Sequence, residues 1–436
     1  MSPAYLRAGS LYLPIVAAML AGVRRRPEPR QFAACLLSLL WTLPALLLLQ
    51  IANLHARWWS FATDGATLRA MPLELYLGWL VLWGVLPQLA MPRLPLAVCA
   101  AVMAALDLAV MPLCRPVVQL RPRWLVGEAA AVVLVLCPAL AIARWTLTDT
   151  RLKLRATLQV ATSALLFLFF LPELIFATRP HTAGWRPMLE LTGWRAQLAV
   201  MSVLLVALPG VSAVFEFAER GQGTPIPYDP PRRLVASGVY RYIANPMQLS
   251  CTLTMLLWAA LLHSGWMLLG ACITIVYSAG IAEWDEHEDL NQRFAAPWRQ
   301  YRAEVRNWLP RLHPYISGPP AAIYIARTCG PCSELRAWLE ARQPFGLELR
   351  DAEELPQGSI RRIRYQPRDG SAPVEGVRAV ARALEHLHVG WAFAGAALRL
   401  PLLWRAVQLV MDASGFGPRT LSTPAPQHPP RSSCVR

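Results

Sequence analysis

Lysine is almost missing from this chain: Lys153 is the only one. Charged residues of both signs together reach only 16%, against about 25% in an ordinary soluble domain. Hydrophobic residues make up 55% of the 436 and come in blocks. That combination excludes a soluble globule and points to a polytopic membrane protein. Basic runs interleaved with aromatics are missing away from the apolar blocks, so nucleic acid is not an expected partner. The formal charge of +15 is instead carried by arginines between apolar segments, where basic residues set topology. A Gly-x-Gly-x-x-Gly fingerprint is also missing, so a soluble dinucleotide-fold enzyme is not supported. His287-Glu288-Asp289-Leu290-Asn291 lacks the closing histidine of a zinc-protease helix, and no metal site is expected. There is no internal repeat.

Nine cysteines are present, six of them (Cys35, Cys99, Cys114, Cys137, Cys251 and Cys272) in or beside apolar segments. Those six read as small buried hydrophobes. Cys434 stands third from the end, so the tail carries no prenylation signal. Only Cys329 and Cys332 form a motif.

The length allows two or more domains. Candidate spans are 3–23, 31–53, 74–91, 95–113, 125–143, 156–177 and 196–217, then a close pair at 247–262 and 265–282 that hinges at His263-Ser264-Gly265. A span needs about 20 apolar residues, so about nine transmembrane helices are expected. Arg7 interrupts the first, and Arg24-Arg25-Arg26 follows the apolar run instead of preceding it, the mark of a retained anchor and not a cleaved signal. Alternating the sides groups loops 24–30, 91–94, 144–155, 218–246 and 283–316 on one face. These hold more arginine than loops 54–73, 115–124, 178–195 and 263–264. The positive-inside bias then places the first group in the cytoplasm of a bacterial-type inner membrane. Asp107 and Glu128 lie within apolar segments, where charge is costly and often functional. The plainer reading has Asp107 pair with a neighbouring helix and Glu128 snorkel from a helix end. Prolines 44, 87, 138, 172 and 209 are expected to kink their helices.

The stretch 224–310 is the centre around which the rest of the chain is arranged. Pro225, Pro227, Pro230 and Pro231 stiffen a loop, and Gly238 permits a turn. Tyr240 and Tyr242 are expected at the membrane interface. Asn245 precedes Pro246, which pushes its backbone out of the helical region. Its amide can donate and accept toward a ligand. Glu286 stands past the second hairpin helix. Leu290, Phe294, Trp298, Tyr301, Val305 and Trp308 then recur every three or four residues. That stripe predicts an amphipathic helix on the membrane surface, divided at Pro297. On physics alone the stretch is either a hairpin with an interfacial aromatic belt or a site for a cationic cofactor beside a lipid-soluble substrate.

Residues 216–315 resemble the isoprenylcysteine carboxyl methyltransferase and phospholipid methyltransferase superfamily. The matching residues are Gly223-Thr224-Pro225, Gly238-Val239-Tyr240-Arg241-Tyr242, Asn245-Pro246-Met247, Glu286, Phe294, Tyr301 and Trp308-Leu309-Pro310. Ala244, Gln248, His287, Ala295 and Trp298 depart from the family's usual Arg, Tyr, Glu, Gly and Tyr. The resemblance implies an S-adenosylmethionine cofactor held from the cytoplasmic side by Gly238, Tyr240, Tyr242, Asn245, Pro246, Met247 and Glu286. It also implies methyl transfer to a lipophilic acceptor such as a carboxylate, thiol or amine. His287 is the one imidazole inside the motif and the candidate base for an acceptor that needs one.

Residues 321–326 read as a buried strand, followed by Thr328-Cys329-Gly330-Pro331-Cys332 and an amphipathic helix to Arg342. A Cys-x-x-Cys at a strand-to-helix junction sets its first thiol at a helix N-terminus, where exposed N–H groups and the dipole favour the thiolate. This is the context of a thioredoxin-like redox motif. The motif resembles thioredoxin's own, and 321–420 resembles the small DCC family of thiol-disulfide oxidoreductases, through Ala379–Leu384 and the run from Gly390-Trp391 to Phe416-Gly417. The family's Asp-Gly before the cysteines is replaced by Ala326-Arg327. Pro373 is a candidate cis-proline facing the thiols.

The expected architecture is thus a transmembrane region at 1–215, a methyltransferase-like core at 216–315, a thioredoxin-like α/β domain at 321–420 and a disordered tail at 421–436. The expected function is S-adenosylmethionine-dependent methyl transfer with an attached redox domain. The alternative is a membrane-anchored thiol-disulfide oxidoreductase with a degenerate core. The expected partners are the bilayer, a lipophilic acceptor and a thiol or disulfide substrate, with Cys329 and Cys332 the redox pair.

Overall fold

The computed structural model describes residues 3–62, 65–179, 182–224, 231–327, 329–355 and 362–418. The side chains of 281–287 and 416 lie outside that description, as does the expected tail at 421–436. Contacts gather into two compact units: Met1–Val235 with Met247–Ala295, and Ala236–Pro246 with Ala296–Arg436. The turn at 236–246 and the segment from 296 belong with the C-terminal sheet.

The first unit is that of a multi-pass membrane protein. Among the described residues of this unit, seven helices are long and apolar enough to cross a bilayer: α1 (Pro3–Arg25), α2 (Pro29–Ala56), α3 (Leu73–Ala90), α4 (Leu96–Cys114), α5 (Trp124–Leu147), α6 (Leu152–Thr178) and α7 (Gly193–Gly221). The last two expected spans form as shorter helices, α8 (Pro246–Leu261) and α9 (Gly265–Tyr277), of 16 and 13 residues. At 1.5 Å per residue α8 reaches only about 24 Å, short of the roughly 30 Å hydrocarbon core, whereas α9 runs on through a π-turn at Ser278–Ala282 into the helix from Glu283.

Side-chain contacts sort the loops as the alternation requires. At one end Asp149, in the α5–α6 turn, bonds Arg30 and Arg155 at 3.1 Å each and also Arg232. At the same end Arg144 donates to the carbonyls of Met91 and Pro92. At the other end β1 (Trp59–Phe61) pairs antiparallel with β4 (Val118–Leu120), and β2 (Thr67–Leu68) with β3 (Met71–Pro72). There Arg69 meets Glu173 at 2.5 Å, Trp185 donates to the same carboxylate, and Arg179 lies 3.7 Å over Trp266.

Arg7, the interruption in α1, is answered from α3. Its guanidinium donates to Glu74 at 2.8 Å. The helices can approach because Gly78 has no side chain: a Cβ there would stand 2.0 Å from the Ser10 carbonyl oxygen. Pro138 and Pro172 each follow a π-turn, at Val132–Leu136 and Leu165–Phe170. Proline cannot donate to the carbonyl four residues back and clashes with it. For Pro138 that carbonyl is Leu134's, and it takes a bond from the Trp41 indole at 3.2 Å instead. Glu128 does not snorkel as the plainer reading expects. It is 4% exposed, buried beside Asp107.

The second unit is built on a four-stranded mixed sheet in the order β6-β5-β7-β8. The strands are β5 (Ala321–Ile325), β6 (Leu347–Asp351), β7 (Arg364–Gln366) and β8 (Val374–Glu375). β5 and β6 run parallel and the other pairings are antiparallel. The parallel pair needs a crossover, supplied by α11 (Gly330–Glu340). α12 (Val377–Leu384), α13 (Val389–Leu398) and α14 (Pro401–Met411) follow β8. Ile323, Ile325, Leu339, Tyr365, Ala379 and Ala383 form the core. No cis peptide occurs among the described residues, so Pro373 is trans and not the expected cis-proline.

The helix expected on the membrane surface, α10 (Glu283–Glu304), is broken at Ala295, where φ is +46°. The break comes two residues before Pro297, close to the expected division. Beyond it the stripe turns inward: Trp298, Tyr301 and Val305 are buried within the second unit. That half of the stripe is protein core and not a lipid-facing surface.

Candidate functional site

Gly238 has φ +60° and opens a tight helical turn over Gly238–Arg241. The turn is fastened by backbone bonds to the segment after α10. Ala244 N–H donates to the Arg306 carbonyl at 2.9 Å, Arg311 N–H to Tyr242 at 2.9 Å and Tyr315 N–H to Arg241 at 2.8 Å. Tyr240 and Tyr242 are buried, and Asn245 is 7% exposed. The Tyr242 hydroxyl donates to the Glu385 carbonyl at 3.0 Å, and the Tyr240 carbonyl accepts from Tyr301 at 2.8 Å. The two tyrosines therefore pack inside protein, where the sequence suggested a membrane interface. The hydroxyl of Tyr242 and the carbonyl of Tyr240 are engaged in holding the turn. Gly238, Tyr240, Tyr242, Asn245 and Pro246 belong to the second unit, and Met247 to the first.

Arg241 reaches a buried histidine. Its Nη1 lies 3.1 and 3.0 Å from the two ring nitrogens of His386. The Nδ1 of that ring sits 2.7 Å from the Phe345 carbonyl and the Nε2 2.9 Å from the Tyr365 hydroxyl. A proton on Nδ1 donating to the carbonyl leaves Nε2 as acceptor, which is the neutral ring. Burial first, and then the Arg241 charge, hold His386 well below the usual histidine range. Sequence reading missed this group, because its partners are brought together only by the fold.

Met247 lines an apolar cavity of about 250 Å³ within the first unit, with Gln159, Thr162, Ser250, Cys251 and Thr254. Both amide atoms of Gln159 are buried without a partner. A glutamine inside an apolar segment was the available signal. Glu286 and His287 fall in α10, but their side chains lie outside the described residues.

The dithiol stands where the sequence puts it. Cys329 caps α11 with extended backbone (φ −110°, ψ 113°), and its carbonyl accepts from Ser333 N–H at 2.9 Å. Pro331 takes a first-turn position, where a missing N–H leaves no helical bond unmade. Both cysteines are half-buried, and Cys332 packs against the sheet core. Asp351, at the end of β6, pins the neighbourhood through Arg327 at 2.6 Å and Arg336 at 2.5 Å. A cysteine at a helix N-terminus with a second cysteine three residues on can attack a disulfide and then be released by the second thiol. Comparison with protein-family models, with curated proteins and with solved structures finds no match.

Proposed function

We propose that the protein is a membrane-anchored thiol-disulfide oxidoreductase whose working pair is Cys329 and Cys332. The observation that carries this reading is the setting of the pair. The first cysteine caps a helix that leaves a central strand, in a mixed sheet ordered β6-β5-β7-β8. A parallel βαβ unit followed by an antiparallel ββα unit is the arrangement of a thioredoxin-like domain. The Cys329 thiolate attacks a substrate disulfide and expels one substrate thiol. The Cys332 thiolate then attacks the mixed disulfide at the Cys329 sulfur and expels the other. Two electrons and two protons pass to the substrate, and the Cys329–Cys332 disulfide forms. Purified protein supplied with dithiothreitol should reduce insulin disulfides. Cys329→Ser should abolish the activity, and Cys332→Ser should trap the mixed disulfide. Insulin reduction by Cys329→Ser at the wild-type rate would remove the proposal.

A second reading, methyl transfer from S-adenosylmethionine, is favoured by the order of motif residues from Gly223 to Pro310 and by the elements they fall on: a tight turn, a short apolar hairpin and a polar helix. Cofactor titration of detergent-purified protein separates the readings, with Asn245→Ala and Glu286→Ala as controls. Saturable binding that both substitutions weaken supports methyl transfer. No binding by the wild type ends it and leaves the dithiol reading untouched.

A further inference from the structure

The first unit holds a second chemistry-bearing site, at the end of the bundle that carries β1 and β4. Asp107 of α4 and Glu128 of α5 lie beside each other at the edge of a cavity of about 20 Å³. Trp59, Trp79 and Trp83 line the same space. The Trp79 indole donates to Asp107 Oδ1 at 3.0 Å. Four other polar atoms there lack a complementary partner: the indole Nε1 of Trp59 and of Trp83, which are donors, and Asp107 Oδ2 and Glu128 Oε1, whose carboxyl groups lie within hydrogen-bond reach of each other. All four residues are more than nine-tenths buried, at 6%, 1%, 3% and 4% exposure.

The indoles are two donors, and each carboxyl oxygen keeps a lone pair that accepts, whether or not the two acids also bond each other. A water molecule offers two acceptor and two donor positions, and a cavity above roughly 10–15 Å³ admits one. One water there, accepting from both indoles and donating to both carboxyl groups, matches this inventory. A bare cation would satisfy the two carboxyl oxygens and leave both indole N–H groups facing positive charge. The charge count adds a second constraint. Among the described residues no arginine or lysine forms an ion pair with either acid, and Cys114 is the other titratable group beside Asp107. Two carboxylates side by side at membrane depth, with no cation, repel each other and lack solvation. One carboxylate hydrogen-bonded to one carboxylic acid avoids both penalties.

We propose that Asp107 and Glu128 form a membrane-embedded proton-binding site, in which the pair carries one proton and a single water ties both carboxyls to the Trp59 and Trp83 indoles. The site gives the helices before residue 200 a chemistry of their own, the uptake and release of a proton. It is independent of the dithiol.

The test is infrared spectroscopy of the full-length protein in nanodiscs at neutral pH, before and after exchange into D₂O. Wild type is expected to show the C=O stretch of one protonated carboxylic acid, sensitive to deuterium. The isosteric double variant Asp107→Asn/Glu128→Gln is expected to lack it. Trp83→Phe, which keeps both acids and removes one donor to the water, is expected to shift the band, and it serves alone should the double variant not fold. Wild type without such a band overturns the proposal, as does a band that neither variant changes. A band seen only after sodium is replaced by choline also overturns it, because a metal cation would then hold the pair.

Discussion

At the scale of single residues, Ala295 and His386 are where the chain departs most from comfort. Ala295 adopts φ +46°, ψ −117°, a conformation that glycine reaches freely and that a Cβ resists. The methyltransferase-like pattern has glycine at this position, and the break in α10 supplies a physical reason for it. Ala295→Gly is expected to raise stability by about 1 kcal/mol, read as a higher midpoint in thermal unfolding of the detergent-solubilised protein. His386 sets a pH dependence. Its folded-state affinity for protons is depressed by burial and by Arg241, whereas the unfolded chain protonates near the ordinary 6.5. Above that pH both states are neutral and the group contributes nothing. As pH falls below about 6.5 the unfolded state alone takes up the proton, and stability drops by up to about 1.4 kcal/mol per pH unit. Unfolding of the second unit between pH 7 and 5 should show that slope. His386→Gln should flatten it. An unchanged slope would mean that the imidazole is not the group responsible.

At the scale of elements, the helices were legible and their partners were not. Blocks of apolar residues about 20 long can do little but span a bilayer, so α2 to α7 follow from hydropathy alone. The Cys329 helix was legible for a similar reason, because strand, thiol pair and amphipathic run are all local. The Gly238–Tyr242 turn is different. Its residues satisfy an interfacial aromatic pattern equally well, and what decides is a set of bonds to residues far along the chain, such as Tyr240 to Tyr301, 61 positions away, and Tyr242 to Glu385, 143 positions away. No periodicity encodes that. The same limit applies to Trp59 and Trp83, whose unpartnered indoles have meaning only beside Asp107 and Glu128. Helix contacts also depend on single small residues. Gly78→Ala would drive a methyl into the Ser10 carbonyl and force α1 away from α3. A loss of about 2 kcal/mol is expected, with the Arg7–Glu74 pair strained, and a protease-sensitive N-terminal helix would report it. An unaltered melting curve would mean that α1 does not pack there.

At the scale of the whole molecule, one unit is built on lipid-spanning helices and the other on a mixed sheet that presents two thiols. The central claim is that those thiols work as a couple. It is tested most directly by equilibrating the intact protein in dithiothreitol buffers of graded redox poise and counting thiols by mass-tagging. The expected result is that Cys329 and Cys332 gain or lose their tags together, along one two-electron curve that Cys329→Ser removes. Tags that stay on both cysteines at every poise, or that are lost from each independently, would contradict it.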